Sequence, residues 1–181
     1  MTPRAELLLT DGFEEVEALT PVDLLRRAGF ELETLAVGPG LEVTGKHGIP
    51  VRADRTLGDS PGDLPDLLVL PGGPGVATLR KDRRVVERAR AQHQAGRTLG
   101  AICAAPLVLL EASILPGRPY TGHFSIREEL PDLAAEPVVV AGPLITSQGA
   151  GTAVPFALTL IREVIGEEKA GEVAASICYP G

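Results

Sequence analysis

The sequence predicts an α/β sandwich, a mostly parallel sheet with helices on both faces, and three observations predict it. Strand-like and helix-like stretches alternate along all 181 residues as one domain spanning 1–181. The run Leu67-Leu68-Val69-Leu70, closed on both sides by Pro65 and Pro71, has the continuous apolarity of a parallel strand buried on both faces. The stretch 98–106, Thr-Leu-Gly-Ala-Ile-Cys-Ala-Ala-Pro, reads as strand, sharp turn and helix, with Cys103 at the junction.

Composition narrows the class. With 44% hydrophobic residues the chain is long enough to bury roughly 70% of its unfolded surface. A net charge of −7 argues against nucleic acid or an anionic membrane as partner. Leu7-Leu8-Leu9 is cut short by Thr10-Asp11-Gly12, so it is neither a leader nor a span, and a cytoplasmic location is expected. Two distant cysteines form neither a disulfide framework nor a zinc motif; no metal is expected, and Cys178 reads as a packing residue.

In chain order, residues 5–9 form a first strand, and 14–28 form a helix stopped by Gly29. On that helix Phe13, Ala18, Pro21, Leu24, Leu25 and Ala28 share one face, and Glu17 falls inside the apolar arc. Pro21 clashes with the carbonyl of Glu17 and is expected to kink the helix. A carboxyl so placed has its pKa raised by desolvation and can donate a hydrogen bond; the alternative is a glutamate that snorkels to water. Residues 31–37 form a second strand, and 41–53 a hairpin with His47 at its tip.

The loop Pro71-Gly72-Gly73-Pro74-Gly75 follows the buried run and offers backbone N–H groups to a phosphate or an oxyanion, or is simply a tight turn. It lacks the third glycine of a dinucleotide fingerprint. Residues 85–94 form a surface helix on which His93 is expected to be solvated. At the elbow, Pro106 opens the next helix, whose first N–H groups face the Cys103 sulfur and lower its pKa toward neutrality; the alternative is a cysteine packed as a small hydrophobe. Residues 119–123 read as extended, 124–130 as one or two helical turns, and 137–140 with 144–146 as a hairpin-like pair. Thr152, after the loop 148–151, is placed to cap a helix running to 165, and a last helix covers 167–175. Ligands of an open parallel sheet bind at the carboxyl ends of its strands, where the glycine loop, Cys103 and Glu17 all fall; His123 ends its own extended segment and supplies a nearby base.

Four segments together resemble the DJ-1/PfpI superfamily, most closely its DJ-1 branch with the bacterial ThiJ/YajL-like proteins, over nearly the whole chain. They are residues 11–17 with 21–29, Leu70-Pro71-Gly72-Gly73, Ala101-Ile102-Cys103-Ala104-Ala105-Pro106, and 146–152 with Phe156-Ala157-Leu158. The resemblance implies a flavodoxin-like three-layer sandwich, a homodimer, a reactive and oxidisable Cys103, and a protonated Glu17 beside it. Ala104 stands where the protease-like branch has a histidine, which disfavours amidase or peptidase activity. His123 matches the histidine of the DJ-1 branch, although Phe124 replaces the usual proline. Arg27 matches one of two arginines that the branch places near the cysteine from opposite subunits to bind an anion, and His47 stands in place of the other.

The implied activity is cofactor-free conversion of methylglyoxal and glyoxal, or removal of early glycation adducts, as in a glyoxalase III or a deglycase. Cys103, Glu17 and His123 would be catalytic, and the N–H groups of Gly73 and Ala104 would form the oxyanion hole. The competing reading is a non-enzymatic sensor of oxidative stress or a chaperone that works through Cys103 oxidation.

Overall fold

The computed structural model describes residues 2–60 and 62–180. Among the described residues there are nine strands: β1 (Arg4–Leu9), β2 (Glu31–Ala36), β3 (Glu42–Thr44), β4 (Pro50–Arg52), β5 (Arg55–Thr56), β6 (Leu67–Leu70), β7 (Thr98–Ile102), β8 (Val138–Ala141) and β9 (Leu144–Ser147). Seven form one sheet in the order β5-β2-β1-β6-β7-β9-β8, parallel except for the hairpin partner β8. The strands β3 and β4 make the separate antiparallel hairpin that carries His47 between them.

Six helices cover the sheet: α1 (Glu15–Arg27), α2 (Val76–Leu79), α3 (Arg83–Gln94), α4 (Pro106–Glu111), α5 (Ala153–Val164) and α6 (Glu167–Ser176). Strand residues alternate between the two faces, as a period of two requires. Leu7, Leu9, Leu67 and Val69 pack with Ala18 and Leu25 of α1 and Phe156 and Leu160 of α5. Leu8, Leu68, Leu70 and Leu99 pack with Leu79, Val85 and Val108 of α2, α3 and α4. Both faces are therefore buried, which is why Leu67–Leu70 reads as an unbroken apolar run.

Several local expectations change. Residues 119–123 join no sheet, although His123 keeps extended backbone, and the turns that follow open with a 3₁₀ turn, Phe124–Ile126, and run on to Leu130. The edge strand β5 and the four-residue α2 carry too few residues for a periodic pattern. Thr152 occupies the N-cap of α5 but donates its hydroxyl to the Gly149 carbonyl at 2.8 Å, closing the preceding turn. Cys178 is exposed rather than packed. His93 is half-buried with its Nδ1 unpartnered among the described residues, not solvated.

The chain leaves β1 to form β2 on one side and later β6 on the other, so the connections diverge between β1 and β6. Crevices of doubly wound sheets open at such a point, outside the carboxyl ends of the strands.

Candidate active site

Cys103 follows β7 with φ of 64°, a left-handed conformation that costs a non-glycine residue about 1–2 kcal/mol. Flanking bonds hold it there: its N–H donates to Ser147 O at 2.9 Å, and its carbonyl accepts from the His123 N–H at 2.8 Å. The elbow thus fastens the end of β7 to β9 and to the His123 segment. Pro106 sits at the first position of α4, where no N–H is needed.

Glu17 reaches the same point from the first turn of α1. Its backbone N–H donates to Glu14 Oε2 at 2.8 Å, so Glu14 caps the helix and fixes its first turn. Glu17 is 2% exposed, accepts the Gly72 N–H at 3.1 Å through Oε2, and faces the Cys103 thiol across Gly72, where an added Cβ would meet both side chains. The N–H groups of Gly73 and Ala104 point at the Cys103 sulfur. Gly73 adopts φ of 96°, a conformation that suits glycine and aims its N–H inward.

Gly72 is the residue that sequence reasoning missed. A methyl group there would overlap Glu17 Oε2 and lie 2.5 Å from Cys103 Cβ, so the cysteine and the glutamate meet only because position 72 has no side chain. The signal was the doubled glycine after the buried strand, whose first member was passed over in favour of the second.

The electrostatics couple the two side chains. Burial lifts Glu17 to about 7, and the nearby Glu14 charge adds to this against the bonds from Cys103 and Gly72. Burial, then the charge of an ionised Glu17, push the Cys103 thiol up to about 12 against the N–H groups of Gly73 and Ala104. With Glu17 ionised, burial and that charge outweigh the start of α4, which has only six residues, and hold the proton on sulfur; with Glu17 protonated the charge that raises the thiol is absent. Two negative charges are disfavoured in this space, so the pair loses its first proton near 7 and keeps the second well above neutrality.

The remaining sequence candidates are placed as follows. The His123 ring accepts or donates at Nδ1 to Ser125 Oγ at 2.8 Å and stacks on Phe124 with ring centroids 4.0 Å apart. It reaches the pair only across Gly149: a Cβ at that glycine would lie 3.6 Å from both His123 Cδ2 and Glu17 Oε1. His123 is thus a wall of the site, and no hydrogen bond joins its ring to Glu17 or Cys103 among the described residues.

Arg27 lies ten residues beyond Glu17, about 15 Å along the helix, and its Nε donates to Asp23 Oδ1 at 2.9 Å. The Nδ1 of His47 lies 3.1 Å from Oε2 of buried Glu15, whose other oxygen accepts the His47 N–H at 2.7 Å. Burial works against the Glu15 charge, but the His47 N–H and ring outweigh it and hold that carboxylate below its usual range. Within one chain Arg27 and His47 are held by different carboxylates, Asp23 and Glu15.

The chain matches the DJ-1/PfpI family over residues 3–163. Protein dj-1beta of Drosophila melanogaster is 34% identical over 182 residues, covering 98% of this chain and 97% of that protein. Its crystal structure superimposes with a TM-score of 0.96 at 33% identity and covers all of both chains. The glutathione-independent glyoxalase DJR-1.2 of Caenorhabditis elegans is 32% identical over 95% of this chain and 94% of its own. Deglycase PfpI of Pyrococcus furiosus is 34% identical over 80% of this chain and 89% of its own. Among the described residues no helix is long and apolar enough to cross a membrane.

Proposed function

The chain belongs to the DJ-1/PfpI family, and from that premise we propose that it is a cysteine-dependent, cofactor-free enzyme that converts methylglyoxal and similar reactive carbonyls to hydroxy acids. One observation carries the reading: a buried carboxyl with a pKa lifted to about 7 touches the thiol of a strained elbow cysteine. Relatives described as a glyoxalase and a deglycase support the same substrate class.

The single negative charge of the pair belongs on sulfur. Cys103 is partly exposed and receives two N–H groups, whereas Glu17 is fully buried, receives one, and faces the Glu14 charge. The two N–H groups at the sulfur and the Glu14 charge at the carboxyl favour the thiolate over the carboxylate. The neutral Glu17 then holds the proton that the reaction needs first.

Thiolate attack on the aldehyde carbon of methylglyoxal forms the S–C bond, and Glu17 gives its proton to the carbonyl oxygen, making a hemithioacetal. That transfer leaves Glu17 as a carboxylate beside the same carbon. It takes the C1 hydrogen as a proton, electron density moves to the C2 oxygen, and the proton returns at C2 while the hydroxyl proton passes from the C1 oxygen to the C2 oxygen, giving a lactoyl thioester. The N–H groups of Gly73 and Ala104, aimed at the sulfur in the free enzyme, lie one bond from the developing oxyanion and stabilise it. Water cleaves the thioester to lactate, the sulfur leaves as thiolate, and of the two protons released one returns to Glu17 and the other goes to solvent, restoring the starting state. His123 lines the site in this scheme and moves no proton.

Replacing Glu17→Gln tests the assignment. Glutamine keeps an N–H donor for the sulfur but carries no transferable proton, so turnover is expected to fall by roughly 10²-fold or more while Cys103 alkylation stays within a few-fold. Turnover that survives the substitution unchanged would remove Glu17 as the proton carrier.

A further inference from the structure

Beside the cysteine lies a cleft of about 510 Å³ that the proposed conversion of a three-carbon aldehyde leaves unused. Its size falls within the range of about 300–1,000 Å³ typical of pockets for drug-sized ligands. Its inner end, Gly122, His123 and Gly149, borders the pair: an added Cβ at Gly149 would lie 3.6 Å from Glu17 Oε1 and one at Gly122 2.9 Å from the Cys103 carbonyl oxygen. Leu133 and the exposed ring of Phe124 make it partly apolar, and the turn at Gly149 that leads into α5 forms its floor.

Its charge is the informative feature. In a chain of net charge −7, no acidic side chain lines this cleft, and its one permanent charge is Arg127. The Arg127 guanidinium has no hydrogen-bond or ion-pair partner among the described residues. Of the two acidic residues that follow it, Glu128 makes no bond to Arg127 among the described residues and Glu129 is taken by Arg80, with Nη1 to Oε1 at 2.8 Å and Nη2 to Oε2 at 2.7 Å. The same Arg80 grips Glu111 of α4, so the 3₁₀ turn that carries Arg127 is tied to the helix that follows the elbow. A guanidinium without a counter-ion, on a fastened segment, suits a planar carboxylate.

We propose that this cleft is a substrate subsite, with Arg127 as its specificity residue, that receives the carboxylate arm of an aldehyde whose carbonyl carbon is held at Cys103. The proposal rests on Cys103 as the group that adds to aldehydes, but not on turnover. The substrate class is thereby extended from neutral three-carbon dicarbonyls to carbonyl compounds that bear a carboxylate several bonds from the aldehyde.

The test uses reversible hemithioacetal formation, in which the S–H adds across C=O, the sulfur bonding carbon and the proton going to oxygen. Succinate semialdehyde and butanal have four carbons each, and only the first carries a carboxylate. Each is used to protect Cys103 against iodoacetamide in the intact protein. Protection by succinate semialdehyde is expected at a concentration at least roughly tenfold lower than for butanal, in line with a charge-assisted bond. Arg127→Leu should abolish that preference, and Arg127→Lys should keep part of it, with butanal and lactate formation from methylglyoxal unchanged in both. Equal protection by the two aldehydes, protection by neither, or a preference that persists in Arg127→Leu would overturn the subsite. A preference that depends on Arg127 in a protein that makes no lactate would support the subsite and remove the enzyme reading instead.

Discussion

Where the pair keeps its charge is decided by the pH dependence of Cys103 alkylation. Replacing Cys178→Ser leaves Cys103 as the sole thiol, because the chain has two cysteines and Cys178 is exposed. The first proton leaves the pair near 7, where burial sets Glu17, and the second near 12, where burial and the Glu17 charge set the thiol. With the charge on sulfur, the iodoacetamide rate rises through a midpoint near 7 and then levels. With the charge on the carboxylate, the rise is centred near 12, and the thiolate fraction at pH 7 is smaller by roughly 10⁵-fold. Glu17→Gln adds a second sign. If sulfur carries the charge, glutamine replaces one donor by another and the midpoint moves by less than about one pH unit. If the carboxylate carries it, removing that charge lowers the thiol midpoint and speeds alkylation at pH 7 by more than roughly tenfold. A wild-type midpoint far above neutrality, together with faster alkylation in Glu17→Gln, would refute the placement of charge on sulfur.

Two further outcomes are expected. Gly72→Ala should push Glu17 away from Cys103, since the added methyl overlaps Oε2, and cut lactate turnover by roughly 10²-fold, as about 1 Å of misplacement does elsewhere; unchanged turnover would mean that the close approach is dispensable. Arg88→Met should cost about 3–5 kcal/mol by chemical denaturation, because it strands Glu6, 2% exposed and bonded by Arg88 at 2.6 and 2.7 Å; a loss under about 1 kcal/mol would show that water or Ser60 compensates.

Much of the fold was legible because its signals are local. Leu67–Leu70 declared a strand buried on both sides, and Pro106 declared the helix after the elbow. Glu17 stood out because a carboxylate on the apolar face of a helix contradicts its surroundings, and it is indeed buried. What was not legible depends on partners distant in sequence. Gly72 matters through side chains 55 and 31 positions away, and nothing in its own neighbourhood distinguishes it from Gly73. The coupling of the thiol to Glu17 was hidden for the same reason: the helix start is visible in sequence, whereas desolvation and the Glu17 charge exist only once β1, β6 and β7 lie side by side. His123 was placed correctly beside the elbow, but Ser125 and Phe124, its own neighbours, determine where its ring points.

Lactate release from methylglyoxal tests the enzymatic reading most directly, with the purified chain and its Cys103→Ser variant compared at equal concentration. Many lactate molecules per chain are expected from the native protein, and none above the uncatalysed background from the variant, since a hydroxyl beside Glu17 forms no comparable adduct at neutral pH. Lactate that stops at one per chain, or that forms equally well without the thiol, would contradict catalysis at Cys103.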